Sequence, residues 1–292
     1  MHRAAVQGNK KALNNKKEVE AKPFLKWAGG KRRILPALEK FFPEKIDRYF
    51  EPFLGGGSVF FYVKQKYNPS LCVISDTNKD LINTYIDVRD NPKLLIRHLQ
   101  YFKKKNSKDF YYSVREKFNS NKIREIKRSA AFIYLNKTCF NGLYRVNKNN
   151  KFNVPYGKFK TPGIFQEETI FAASKLLNNR VVIKHQDYKK ILKSTRGGDF
   201  VYLDPCYDPL KRTSFANYTP ERFGKKERTE LFDFIQTLRQ GNVKVVLSNN
   251  DLPDIRELYA SYKVAEINAP RYIGSKVNYR TNIKELVIST NL

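Results

Sequence analysis

Asp204, Pro205 and Tyr207 close the run DFVYLDPCY, an apolar, strand-like stretch that stops abruptly on an acid. A carboxylate, a backbone carbonyl beside it and a nearby aromatic ring can together hold an amino group attached to a flat heterocycle. The Asp204 carboxylate would accept one N–H and the Pro205 carbonyl the other. An exocyclic amine is delocalised into its ring and attacks poorly; two acceptors favour its pyramidal form and stabilise the charge that develops on attack. The Tyr207 ring offers a face on which a base brought out of its helix can stack. The bland alternative is a surface turn, because Asp and Pro both favour turns.

A second cluster lies upstream. EPFLGGGSVFF sets Gly55, Gly56 and Gly57 between a short strand (about 48–53) and a helix starting near Ser58. Glycines there allow positive φ and close backbone approach to a ligand. The spacing is not the GxGxxG of a dinucleotide site. Glu51, just before the turn, would repel a phosphate but attract an ammonium or sulfonium. Asp76 ends the next strand (71–75) and is suited to a ribose diol, and Asp187 ends RVVIKHQD at the same edge. This set suits a cationic nucleoside cofactor, for which S-adenosylmethionine is the obvious candidate. A glycine turn with a purely structural purpose is the alternative.

These residues need elements that carry them to one edge. Strand, glycine loop, helix, strand and acid form half of a doubly wound α/β domain, whose ligands bind at the carboxyl ends of the strands. Before it, the turn at Gly29 and Gly30 leads into Ile34, Leu35, Leu38 and Phe41 or Phe42 at helical spacing. NPKLLIRHLQYFKKK and SAAFIYLNKTCF read as helices, and the sequence between Cys139 and Phe165 is polar. The α/β pattern then returns with RVVIKHQD and DFVYLDPCY as strands, RTELFDFIQTLRQG as a helix and NVKVVLSNN as a strand. YKVAEINAP and NIKELVIST complete it as an antiparallel pair at the sheet edge. The expected division is a flexible basic lead-in over 1–22, a catalytic α/β domain over 23–89 and 181–292, and an insert over 90–180.

The charge names the partner class. The 292 residues carry 56 Lys plus Arg against 28 Asp plus Glu, a formal net charge of +28. Between 122 and 160 ten cations face a single acid, Glu125. Such an excess predicts attraction to a polyanion. No apolar run approaches the ~20 residues that cross a bilayer, which favours nucleic acid over a membrane. Cys72, Cys139 and Cys206 lie far apart, as do His2, His98 and His185, so neither a disulfide framework nor a metal site is expected. The first 22 residues lack the apolar core of a signal peptide, and the expected location is intracellular, in the cytoplasm.

DPCY resembles the Asp-Pro-Pro-Tyr motif of amino-methylating DNA methyltransferases. PFLKWAGGK, FEPFLGGGSVFF, SDTN, CFNGLYRVNKNNKFNVPYGKFK and SNND…IRELY, in that order, resemble the Dam-type DNA adenine-N6 methyltransferases from about Pro23 to the C terminus. The resemblance implies a Rossmann-like, S-adenosylmethionine-dependent methyltransferase sheet with an inserted, mainly helical DNA-recognition domain. It implies double-stranded DNA as substrate, with a flipped adenine, most commonly within GATC, as the methyl acceptor. Lys26 and Trp27 would lie by cofactor and target, with Gly29, Gly30 and Lys31 completing that wall. Glu51, Phe53, Gly55 and Gly57 would surround the methionine part of the cofactor, Asp76 its ribose and Asp187 its adenine. Asp204, Pro205 and Tyr207 would hold the target adenine. In the insert, Phe140 matches the aromatic that enters the duplex, Asn141, Leu143, Arg145 and Pro155 match residues that read the site, and Lys158 stands where basic contacts occur. The chain is expected to act as a monomer, with a transient dimer on DNA as the alternative.

One position departs from the pattern. Cys206 replaces the usual second proline. The carboxylate and the Pro205 carbonyl survive, but the restriction that a proline would place on residue 205 is lost. Activity is expected to persist, without a role for the thiol. The competing readings are a basic DNA-binding protein that methylates nothing, and an amino methyltransferase acting on RNA or on cytosine N4. The clamp suits either amine, so only the insert's resemblance favours adenine in duplex DNA. A nicotinamide oxidoreductase lacks its glycine spacing and leaves Glu51 without a role.

Overall fold

The computed structural model describes residues 19–157, 159, 161–205, 224–270 and 282–290. Cys206, Tyr207, Lys158 and most of the basic lead-in lie outside them. The strands are β1 (Arg48–Glu51), β2 (Leu71–Asp76), β3 (Val181–His185), β4 (Phe200–Leu203), β5 (Lys244–Asn250), β6 (Lys263–Pro270) and β7 (Asn282–Ser289). They form one sheet in the order β3-β2-β1-β4-β5-β7-β6. The first five are parallel, and β7 runs antiparallel to both β5 and β6. The edge pair read from the sequence is therefore present, with β7 inserted between β5 and β6.

Alternation along each strand builds a core on both faces. Tyr49, Cys72, Ile74, Phe200, Tyr202 and Val246 belong to one buried cluster, whereas Phe50, Val73, Val201, Leu203, Val245 and Leu247 belong to the other. The parallel strands thus read as near-continuous apolar runs, as strands covered on both faces do. The first face carries α1 (Leu35–Leu38), α2 (Ser58–Tyr67) and α3 (Lys79–Asp90) through Leu38, Phe60 and Tyr85. The second carries α8 (Lys225–Gln240) and α9 (Pro253–Leu258) through Phe234, Ile235 and Ile255. The apolar spacing after Gly30 gives only short helical pieces around α1, and Pro36 lies in its first turn.

After α3 the chain leaves the sheet for α4 (Pro92–Lys105), α5 (Lys108–Asn119), α6 (Glu125–Thr138) and α7 (Glu167–Leu177), and returns at β3. The sequence reading had no separate helix at α5 or α7. α6 is the centre of this unit, buried continuously from Ser129 to Asn136. Between α6 and α7, bridges Cys139↔Tyr156 and Val146↔Phe152 pair the chain antiparallel into a hairpin-like loop. Asn147 shapes its tip by accepting the backbone N–H groups of Asn149 and Lys151.

Two local devices join this unit to the sheet. Trp27 stacks on Tyr144 of the hairpin, 5.5 Å between ring centroids and 18° between planes. The indole also lies against the glycine loop: a Cβ on Gly55 would fall 2.8 Å from it. Asn136, 1% exposed, is the second device. Its side chain accepts from Lys26 N at 2.8 Å and donates to Lys26 O at 2.7 Å and Gly142 O at 3.2 Å. Asn136→Leu should therefore destabilise the protein by about 2–4 kcal/mol, because it strips partners from several buried backbone groups at ~1–3 kcal/mol for each one left unpaired. Urea unfolding measures this; a midpoint unchanged from the parent would show that the clamp contributes nothing.

Candidate active site at the carboxyl edge of the sheet

Strand order reverses between β1 and β4, and both strands end in an acid at the same edge. β1 terminates on Glu51, followed by the glycine loop, and β4 is followed directly by Asp204 and the buried Pro205. Such a switch point opens a crevice that a connecting loop does not cover. Glu51 is 2% exposed and accepts from the Tyr49 hydroxyl at 2.6 Å. Burial pushes its carboxyl well above the ordinary range; Tyr49 counters in part, and Asp204 and Asp76 add to the rise.

The glycine loop takes its shape from this edge. Gly55 and Gly57 adopt φ of 49° and 70°. A Cβ at Gly57 would stand 2.6 Å from the Tyr85 hydroxyl, so the loop presses tightly on the protein at that point. Asp76, at the end of β2, accepts from Gly55 N at 3.0 Å and Asn78 N at 2.9 Å. Burial raises its pKa against the lowering effect of those N–H groups. Asp187 is exposed at the carboxyl end of β3 and accepts from Lys189 N at 2.9 Å, capping the turn that holds Tyr188. Phe53 stacks on Tyr188 at 5.1 Å between centroids. Acids at the ends of β1, β2 and β3, a backbone loop pressed against Tyr85 and an aromatic pair fit a cationic nucleoside. The residues that would hold S-adenosylmethionine are therefore present at one edge.

Lys31 is the cation of this edge. Its Nζ lies 3.1 Å from Asp204 Oδ1 and 3.3 Å from Glu285 Oε2, with the side chain only 2% exposed. Burial opposes its charge, but the two carboxylates outweigh burial and hold its pKa above the ordinary value. Sequence reasoning assigned Lys31 to the cofactor wall beside Gly29 and Gly30; in the structure its ammonium bridges Asp204 and Glu285. Glu285 itself escaped that reasoning. The available signal was an acid among the apolar residues of NIKELVIS, in a strand covered on both sides.

The expected base-reading residues sit on the hairpin after α6. Phe140 is 42% exposed and Asn141 next to it has φ 54°. Leu143 packs against the core, Arg145 Nε donates to Asn153 Oδ1 at 2.7 Å, and Pro155 O accepts from Phe140 N at 2.8 Å. The Lys26 ammonium lies 4.6 Å from the centre of the Phe159 ring. Close by, burial and the neighbouring Lys26 and Lys22 push Lys137 down to about 8, a position that no motif had marked. Lysines gathered in this way favour an anion. Among the described residues there is no cluster of His, Cys, Asp and Glu that could hold a metal ion, and no helix long and apolar enough to cross a membrane.

Comparison with known proteins identifies the family. The family model of D12 class N6 adenine-specific DNA methyltransferases matches residues 27–273, which takes in strands β1 to β6 and the insert. The chain is 40% identical to the Type II methyltransferase M1.LlaDCHI of Lactococcus lactis subsp. cremoris, over 95% of this chain and 98% of the relative. It is 42% identical to the Type II methyltransferase M.MjaIII of Methanocaldococcus jannaschii, over 92% and 99% of the two chains. It is 33% identical to the DNA adenine methylase of Haemophilus influenzae, over 93% and 94%. Matched across sheet and insert, and by relatives along nearly their whole length, the chain belongs to the D12 class N6 adenine-specific DNA methyltransferases, DNA-binding enzymes that draw their methyl group from S-adenosylmethionine.

Proposed function

We propose that the enzyme methylates N6 of an adenine flipped out of duplex DNA, within GATC, and that Asp204 is the carboxylate that accepts the target amine. The observation that carries this reading is the position of Asp204 at the end of β4, across the strand-order reversal from the glycine loop of β1. Its side chain is 21% exposed, enough for a substrate to reach, and Lys31 fixes one of its oxygens. When bound, S-adenosylmethionine supplies an electrophilic methyl group on a sulfonium. Asp204 accepts an N–H of the target amine and stabilises the positive charge that grows on the nitrogen, an interaction strongest in the transition state. Pro205 contributes a second acceptor through its carbonyl, and Tyr207, outside the described residues, a stacking face. Trp27, Gly29, Gly30, Lys31, Glu51, Phe53, Gly55, Gly57, Asp76 and Asp187 would surround the cofactor.

In the same reading residues 90–180 form the recognition domain of a monomeric enzyme. Support comes from the cation-rich hairpin, with Phe140 exposed at its base and Arg145 held by Asn153. Phe140 would enter the duplex, and Asn141, Leu143, Arg145 and Pro155 would read bases. Lys26 and Lys158 would meet the DNA beside them. GATC rests on the wording of this hairpin in the sequence. Plasmid incubated with the protein and S-adenosylmethionine, then mapped for N6-methyladenine at single-nucleotide resolution, tests it; methylation spread over adenines outside GATC would refute that specificity.

Two substitutions test the roles. Asp204→Ala should lower the single-turnover methylation rate about a hundredfold, the ~3 kcal/mol of a lost preorganised group, while cofactor and duplex still bind. A rate within threefold of the parent would remove Asp204 from the chemistry. Arg145→Ala should cost ~1–3 kcal/mol on GATC and relax discrimination at one base pair, because arginine can bond both O6 and N7 of a guanine. The check is the rate ratio between GATC and a duplex with its outer guanine–cytosine pair replaced. An unchanged ratio, with all duplexes weakened alike, would make Arg145 a phosphate contact.

A further inference from the structure

Lys31 offers one buried ammonium to two carboxylates, and only one of them has a role so far. Nζ reaches Asp204 Oδ1 at 3.1 Å and Glu285 Oε2 at 3.3 Å, and Glu285 Oε1 accepts from it at 3.4 Å. Glu285 lies opposite Asn250 in the β5–β7 register, at the carboxyl end of β5. Its neighbours point elsewhere: Lys284 pairs with Glu266 at the surface, 2.7 Å away, and Leu286 is fully buried in the core. Glu285 is thus the residue by which the antiparallel strand reaches the reaction edge.

The charge count gives the contact a purpose. Lys31 and Asp204 alone would sum to zero, and the ammonium would cancel much of the pull that Asp204 exerts on a growing cation. Adding Glu285 returns the trio to a net −1. We propose that Glu285 is a positioning residue for methyl transfer, which engages Lys31 so that the ammonium orients Asp204 without neutralising it. This inference rests on the reading of Asp204 as the acceptor of the target amine. Its effect falls on the rate of transfer, because the charge on the amine exists only as methylation proceeds. A purely structural Glu285, by contrast, would satisfy Lys31 and leave the rate per folded molecule untouched.

Glu285→Gln keeps the side chain's size and removes its charge. At saturating cofactor and duplex its single-turnover rate should fall roughly tenfold, less than for a group that touches the reacting atoms, with both dissociation constants within about twofold of the parent. Glu285→Asp restores the charge and should run at least about threefold faster than Glu285→Gln. A parental rate in Glu285→Gln, or a Glu285→Asp variant no faster than it, would overturn the proposal. Should Glu285→Gln melt below the assay temperature, the parent and both variants are compared at a lower temperature at which all three are folded, and the same two outcomes decide. Asp204→Ala, measured in parallel, separates the two ideas. If it methylates at the parental rate, the role of Asp204 fails; if it is inactive while Glu285→Gln is unimpaired, the role of Glu285 fails alone.

Discussion

The reversal of strand order between β1 and β4 is the constraint on which the rest of the molecule depends. Neighbouring parallel strands whose connections lead to opposite faces leave a crevice at their carboxyl ends. In this chain the strands that border it end in Glu51 and Asp204, with Asp76 one strand further out. Bringing those acids together is costly, and the protein meets the cost in several ways. Glu51 is held toward its neutral form, Asp76 takes backbone N–H groups, and Asp204 takes Lys31. Each solution leaves a site that a bound cation would stabilise further.

This acid edge sits in a chain of net charge +28, and the two signs act over different distances. At physiological ionic strength the Debye length is about 8 Å, so separated surface charges act mainly as a field that gathers a polyanion. Contacts near 3 Å in a buried crevice are far less screened. The lysines around Lys26 and Lys137 and the acids at the strand ends can therefore serve opposite ligands in one small protein. Under the proposed function, DNA would approach the basic hairpin and the cationic cofactor would enter the acidic crevice.

Mechanical coupling between these regions runs through Trp27. Its ring fills the space that side chains on the glycine loop would need, and its outer face stacks on Tyr144 of the hairpin. Asn136 fastens the same N-terminal segment to Gly142. The segment that begins at Pro23 thus acts as a rivet between the catalytic sheet and the inserted helices.

Much of this was legible in the sequence, because its signals are local. Alternating apolar runs specify the strands, three glycines after a strand require a close turn, and an acid at each strand end survives any reading of the topology. The order of the motifs along the chain carries the resemblance to the family without any knowledge of contacts. What the sequence could not supply were pairings between distant elements. Residues 31, 204 and 285 are adjacent only because β7 runs backward beside β5, which brings its first residues to the edge where the parallel strands finish. Helices α5 and α7 were not among the expected elements, although their buried positions, Tyr111, Val114 and Phe118 in α5 and Ile170, Ala173 and Leu177 in α7, recur at helical spacing. Local sequence sets which residues can do chemistry; the antiparallel direction of β7, inserted between β5 and β6, decides which of them share the Lys31 ammonium.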